Sequence, residues 1–376
     1  MFWKKRVYLD AAAGVAGNPS SPHEEGRRAK AMLEDARTAI ARLVEVQSDD
    51  VIFTSGGTES NALAILGHVR ALRRNGREEM HVLYLPSAHA SLVENCKLLA
   101  AEGVRVEPLP IREYRVDTDA LSRMLTSETV LVAMDAVCGE TGVVWNTREV
   151  ADVLKKARAG TSGKIMFHVD ASQAPLSEKM TRDHFGADML ALDASKVGPI
   201  RGVGALIAHR TIPLVPLYEG GGQERGVRSG SVSPESAAAF AAALASAARG
   251  REAFVASAKE ARIELIERVE KSIPEASIQQ GVKQAPNILN LALPGRDTDY
   301  LVALLDEAGF AVSTRSACET DSEEGSRAVY ALTGDPVKAR STLRISWNPA
   351  VRPAELARFS AALVEAVAFI DTGVQR

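Results

Sequence analysis

The chain has 376 residues, of which 46% are hydrophobic and 25% charged, with a formal net charge of -3. This is the composition of an ordinary soluble globular protein, long enough for one large domain and a smaller one. The near-neutral balance argues against a nucleic-acid or membrane partner, and no apolar stretch is long enough to span a bilayer.

The basic start, Met1-Phe2-Trp3-Lys4-Lys5-Arg6, leads into Asp10 and an Ala/Gly run rather than an apolar core, so no export signal is expected. Residues 51–54 are a short β-branched run, followed at once by Ser55-Gly56-Gly57-Thr58-Glu59-Ser60-Asn61 and a helical stretch over 62–72. Strand, tight glycine turn and helix in that order expose backbone N–H groups at a helix start, an arrangement suited to phosphate. A plain helix cap by Ser55 or Thr58 accounts for the same residues. Residues 81–85 are the next predicted strand, and the loop after it carries His89 ahead of a helix through Ala101. Strands over 104–109 and 129–134 follow, with a helix around 119–125 between them. Asp135-Ala136-Val137-Cys138-Gly139-Glu140-Thr141-Gly142 then leads to a helix near 147–157. Strands and helices alternating at this spacing predict an α/β fold with a mostly parallel sheet.

Two further apolar runs, 165–169 and 189–192, each end in a charged group. The first delivers Asp170, with His168 and Gln173 close by, and the second delivers Lys196. In an open parallel sheet, chemistry collects beyond the carboxyl ends of the strands, so both groups are expected at one crevice. A lysine facing a carboxylate there suits pyridoxal 5'-phosphate: the amine holds the aldehyde and the carboxylate keeps a proton on the ring nitrogen. An ordinary Asp–Lys ion pair at two strand ends fits these two residues equally well.

A strand over 205–208 precedes a glycine-dense segment, 219–231, that contains Arg225 and Arg228. It is expected to be a loop that orders around an anion or a neighbouring subunit. Residues 234–273 read as one long Ala-rich helix joining a large domain, 1–250, to a smaller α+β domain, 251–376. The smaller unit is predicted as strand 287–293, helix 298–308, strand 310–313, helix 326–332, strand 342–346 and a closing helix over 353–370.

The three cysteines, Cys96, Cys138 and Cys318, form no C-x-x-C pair. This argues against a disulfide framework or a metal site and for a reducing, cytoplasmic setting. Cys96, in a predicted helix, fits a buried inert thiol. Cys318 lies in a small, polar, glycine-ended stretch, 314–325, too polar for a core.

The ordered set T-S-G-G-T-E-S-N, A-H-A, E-T-G-V-V, H-V-D-A-S-Q, S-K-V-G-P, E-R-G-V-R-S-G-S, P-N-I-L-N, S-A-C and L-R-I-S resembles the cysteine desulfurases. These belong to the class V aminotransferase group of pyridoxal-phosphate enzymes, and the likeness runs from Tyr8-Leu9-Asp10 to the final helix. It implies fold type I, an aspartate aminotransferase-like large domain with a smaller C-terminal one, in a homodimer. It also implies conversion of L-cysteine to L-alanine, with the sulfur left as a persulfide on Cys318 for an acceptor protein in iron–sulfur cluster assembly or thiolation. Lys196 would carry the cofactor aldehyde, Asp170 would pair with the ring nitrogen and Gln173 with the ring hydroxyl. His89 would stack on the ring and move protons. Gly57, Thr58 and, from the partner subunit, Ser231 would hold the phosphate. Arg344 would clamp the substrate carboxylate, with Asn18 as a second substrate contact. Selenocysteine or cysteine-sulfinate cleavage, or amino transfer, would need the same lysine and aspartate without Cys318. A scaffold that keeps the fold without chemistry would need none of them.

Four features depart from the family pattern. The usual Ser-x-His-Lys is Asp193-Ala194-Ser195-Lys196, so either Asp193 turns away and Ser195 supplies a hydroxyl, or cofactor affinity falls. The usual Asn-Asn is Cys138-Gly139, which brings a second thiol near the site. The glutamate before the histidine is Ala88. Asp10 and Gly17-Asn18-Pro19 are separated by less chain than usual, so the mouth of the site is expected to be more open or differently covered.

Overall fold

The computed structural model describes residues 6–15, 17–159, 164–314 and 325–374. Cys318 lies outside the described residues. Among those described, seven strands form one sheet: β1 (Val51–Thr54), β2 (His81–Tyr84), β3 (Arg105–Pro108), β4 (Thr129–Asp135), β5 (Met166–Asp170), β6 (Met189–Asp193) and β7 (Gly204–Ala208). Their spatial order is β1-β7-β6-β5-β4-β2-β3. The pairs β2–β3, β2–β4, β4–β5 and β5–β6 are parallel, and β7 runs antiparallel to both β1 and β6. All seven residues of β4 and all five of β5 are buried, as strands covered on both faces require.

Helix α1 (Glu24–Val44) carries no expectation from the sequence analysis, yet its buried residues Ala29, Leu33, Ala36, Ile40 and Val44 recur at helical spacing. Its apolar stripe is short of large residues, which made it easy to overlook. Helix α2 starts at Gly57 rather than at residue 62, running as Gly57–Ala62, then a wide-turn segment, Leu63–Gly67, then His68–Arg74. Neither Ser55 nor Thr58 caps it, because the capping position is Gly56, which has no side chain to offer. Helix α3 (Ala90–Ala101) follows β2 and α4 (Thr147–Ala159) follows β4.

Helix α5 (Pro234–Ser272) is capped by Ser233 and passes from one apolar cluster to a second. Its residues Phe240 and Leu244 pack with the large sheet. Phe254 and those beyond it pack with a three-stranded antiparallel sheet made of β8 (Ser277–Gln279), β9 (Ile288–Ala292) and β10 (Thr342–Ser346). Helices α6 (Thr298–Glu307), α7 (Arg327–Thr333), a short helix over Pro336–Arg340, and α8 (Pro353–Val374) follow in the chain, Ala328 of α7 packing with the large cluster. Residues 310–313 are not the strand expected from the sequence. They make a single bridge, Ser313 to Arg344, because Phe310 turns its ring onto Phe359 of α8 at 5.5 Å instead of extending a ladder. No helix of the described residues is long and apolar enough to cross a membrane.

Candidate active site

The parallel strands end at a common edge, and their last residues define the site. Asp135 closes β4 and Asp170 closes β5, directly opposite each other in the ladder. Lys196 ends the short turn Ala194–Lys196 that follows β6. A cavity of about 280 Å³ opens there, lined by Lys196, Asp170, Gln173, His89, Gly57, Thr58 and Arg344 among others. Seven of the residues expected at the site therefore come together.

Asp170 is 6% exposed and accepts two hydrogen bonds. Ser172 N–H donates to Oδ1 at 2.9 Å, and Asn61 Nδ2 donates to Oδ2 at 2.6 Å. Because Asn61 spends its amide nitrogen on that carboxylate and on Ser91 Oγ, its Oδ1 is the acceptor facing His168 Nε2 at 2.8 Å. That requires the proton of His168 on Nε2. Burial holds this imidazole far below its ordinary range, to about 4, although Asp170 pulls the other way. His168 is therefore a neutral donor behind the Asp170–Asn61 pair.

The same network reaches His89. This residue caps α3, accepting from Ser91 N–H at 3.2 Å on Nδ1, and Ser91 Oγ lies 2.8 Å from the same nitrogen. With Nδ1 an acceptor, the proton of a neutral ring sits on Nε2. Asn61 and Ser91 thus tie the carboxylate at one end of the cavity to the imidazole at another. Sequence reasoning gave neither a role. Asn61 stands about one turn into α2 from Gly57, and Ser91 stands two residues after His89, which are the signals that could have found them.

Asp135 was also missed, although it ends a strand just as Asp170 does. It lines the cavity, is 4% exposed, and its Oδ1 has no partner among the described residues. Burial, reinforced by the nearby Asp170 charge, pushes its pKa well above the ordinary carboxylate value. Arg327 opens α7 and lines the same cavity. Its guanidinium donates to the Pro86 carbonyl and, at 2.7 Å, to the Ala88 carbonyl, fastening the loop that presents His89. Ala88, expected from the sequence only as a departure, thus takes part through its backbone carbonyl.

Arg344 projects from β10, with Nη1 3.3 Å from the Gly139 carbonyl. A Cβ on Gly139 would meet the end of the Gln173 side chain, Nε2 at 2.9 Å, so a larger residue there would make Gln173 shift. Cys138 is buried at the cavity wall, and burial, with Asp135 adding to it, pushes its thiol up to about 12. Cys96 is likewise pushed to about 12 by burial and lies in the core. Neither supplies a thiolate at neutral pH.

The remaining expected residues lie elsewhere. Ser195 is not on the cavity wall; its N–H donates to Asp193 Oδ1 at 2.8 Å. Asp193 does not turn away, since its Oδ2 accepts the Gly57 N–H at 3.0 Å. Asn18 and Ser231 line a separate cavity of about 420 Å³ next to Arg37 and Glu224. The glycine-dense segment is held by the chain's own carboxylates and cations. Arg228 Nε donates to Glu59 at 3.1 Å, and Glu224 accepts a two-pronged bond from Arg37 at 2.7 and 2.8 Å.

The Aminotransferase class-V family model matches residues 7–359. The chain is 32% identical to "Cysteine desulfurase IscS 1" of Archaeoglobus fulgidus, covering 88% of this chain and 84% of that protein. The chain belongs to the class V aminotransferase family, within its cysteine desulfurase branch. Among solved structures, a NifS-like protein superposes with a TM-score of 0.85 at 25% identity, covering 94% of this chain and 92% of that one. A structure described as SspA in complex with cysteine matches with a TM-score of 0.72 at 28% identity, covering 88% and 91%. The mostly parallel seven-stranded sheet is the fold type I architecture of these class V relatives. The strand-end lysine and aspartate of this cysteine desulfurase relative are thus framed by the architecture expected of its family.

Proposed function

We propose that the chain takes sulfur from L-cysteine, releasing L-alanine and leaving a persulfide on Cys318, with pyridoxal phosphate as cofactor. The observation that carries this reading is the convergence of Lys196, Asp170, Gln173, His89 and Arg344 on one cavity. An ordinary Asp–Lys ion pair does not describe the site, because Asp170 is bonded to Asn61 and Ser172 N–H, and Lys196 forms no ion pair with it.

The residues fit the ring end of such a cofactor. Lys196 would hold its aldehyde, Asp170 a proton on its ring nitrogen, and Gln173 its ring hydroxyl. Ser172 Oγ, buried and without a partner among the described residues, faces Gly57 at the phosphate end, where a Cβ on that glycine would meet it at 3.0 Å. When bound, the cofactor supplies an electron sink for a carbanion at the substrate's α-carbon. Asp170 serves that end with a carboxylate held in place by its two donors. Arg344 orients the substrate through its carboxylate. Lys196 Nζ and His89 Nε2 carry protons to and from the substrate carbon and leaving group. The Cys318 thiolate would attack the substrate sulfur, an S–S bond forming as the substrate Cβ–Sγ bond breaks, and the carbon left with the electron pair would take a proton to give alanine.

We read the working form as a homodimer in a reducing, cytoplasmic setting, with an acceptor protein receiving the sulfur for iron–sulfur cluster assembly or thiolation. What supports the dimer is that Ser231, assigned to the phosphate, lines a different cavity in its own chain. Incubating the cofactor-loaded protein with L-cysteine and a thiol reductant tests the reading. Alanine and sulfide are expected together, and both are expected to stop in Cys318→Ala. Full turnover in that variant would refute the persulfide step.

A further inference from the structure

The phosphate end of the cavity holds an anion that belongs to the chain. Gly56 and Gly57 open α2 with no side chain to shield its positive end, and the first helical N–H, that of Gly57, points at Asp193 Oδ2 over 3.0 Å. The other carboxylate oxygen is held by Ser195 N–H at 2.8 Å. Among the described residues no cation pairs with Asp193, so backbone donors and the helix terminus are what fix it. A Cβ on Gly57 would come within 3.2 Å of Asp193 Oδ2 and 3.0 Å of Ser172 Oγ. The missing side chain thus leaves room for the carboxylate and a buried hydroxyl to approach the same side of Gly57. Ser172 Oγ, which lacks a partner there, is a donor waiting for an acceptor.

One N–H cannot serve two anions well, and two negative groups a few ångströms apart repel. A phosphate seated on Gly57 would have to share the donor with Asp193 or displace it. We propose that Asp193 occupies the phosphate cradle in the cofactor-free protein, so that loading requires its carboxylate to release the Gly57 N–H, and the chain binds phosphorylated cofactor weakly and reversibly. This rests on the reading of the cavity as a pyridoxal-phosphate site. It assigns Asp193 the role of setting cofactor affinity, at a position where the family pattern has a phosphate-binding serine. A ligand with the same ring and no phosphate meets no such competition.

The test is equilibrium titration of the cofactor-stripped full chain with pyridoxal phosphate, and separately with pyridoxal, followed by absorbance of the lysine-bound chromophore. The parent, Asp193→Ser and Asp193→Asn are compared, with Lys196→Ala as the control for binding at the lysine. Circular dichroism checks that each variant is folded, and the isosteric asparagine removes the charge while keeping an acceptor for one of the two N–H groups. The dissociation constant for pyridoxal phosphate is expected to fall at least tenfold in Asp193→Ser and by a smaller factor in Asp193→Asn. That for pyridoxal is expected to stay within twofold of the parent in both. Equal phosphate-ligand affinity in parent and variants, or an equal gain for pyridoxal, would overturn the role of Asp193 while leaving the cofactor reading intact. No lysine-dependent signal in any of the three would overturn both.

Discussion

Asn61 Nδ2 lies 2.6 Å from Asp170 Oδ2, and the same nitrogen reaches Ser91 Oγ at 2.8 Å. One buried amide therefore sets the position of the group assigned to the ring nitrogen and, through Ser91, that of His89. Asn61→Ala would strand a carboxylate oxygen and the His168 Nε2 donor in a dry environment. Stability should fall by about 1–3 kcal/mol, and kcat on L-cysteine by roughly 10- to 100-fold through misplacement of reacting groups. Steady-state kinetics at saturating cofactor check this. A parental kcat would mean the amide positions nothing that the reaction uses.

His168 ties acid stability to the site. Its folded pKa is depressed by burial to about 4, from an ordinary 6.5. Between those values the unfolded chain binds a proton that the folded chain refuses, so stability is lost as pH falls from about 6.5 to about 4. The loss expected is about 3 kcal/mol. His168→Gln, which keeps a donor for Asn61 Oδ1, should flatten that part of the curve. Urea unfolding across the window measures it, and an unchanged slope would place the acid sensitivity elsewhere.

Asp135 has the opposite sign. Its folded pKa is raised by burial and by Asp170, so its ionisation favours the unfolded chain once pH exceeds the ordinary carboxylate value. Asp135→Asn removes that penalty at nearly constant volume. The variant is expected to be more stable than the parent near neutral pH, with the gain vanishing in acid. A loss of stability at neutral pH would show that the carboxyl proton makes a bond worth more than its burial costs.

Arg327 joins the start of α7 to the carbonyls of Pro86 and Ala88, just before His89. Lysine cannot supply that fork. Arg327→Lys is expected to cost about 2 kcal/mol and to speed amide hydrogen exchange over residues 86–90 more than in α3. Exchange that rises uniformly would argue for general loosening instead.

The parts of the fold that were legible in the sequence are those where one short-range signal decides the outcome. β1 and β10 were read to the residue, because β-branched runs bounded by polar turns have few other ways to fold. α1 was missed because alanine and glycine make up much of its buried face. Residues 310–313 were misread because an apolar run does not say whether it will pair or pack. At the site, Lys196, Asp170 and His89 could be found from strand ends alone. Asn61, Ser91, Asp135 and Arg327 could not, since each acts through a contact made across the fold, and their types are common everywhere. The route taken by Asp193 was undecidable for the same reason: only the folded loop shows Gly57 N–H facing its carboxylate.

The central claim is that this cavity delivers the sulfur of L-cysteine to Cys318. Its most direct test is peptide mass mapping of the cofactor-loaded protein after brief exposure to L-cysteine without reductant. The account predicts one added sulfur atom on the peptide containing Cys318, alongside stoichiometric alanine, and none on the peptides containing Cys96 or Cys138. Alanine formed with Cys318 unmodified, or sulfur found on Cys138 instead, would contradict it.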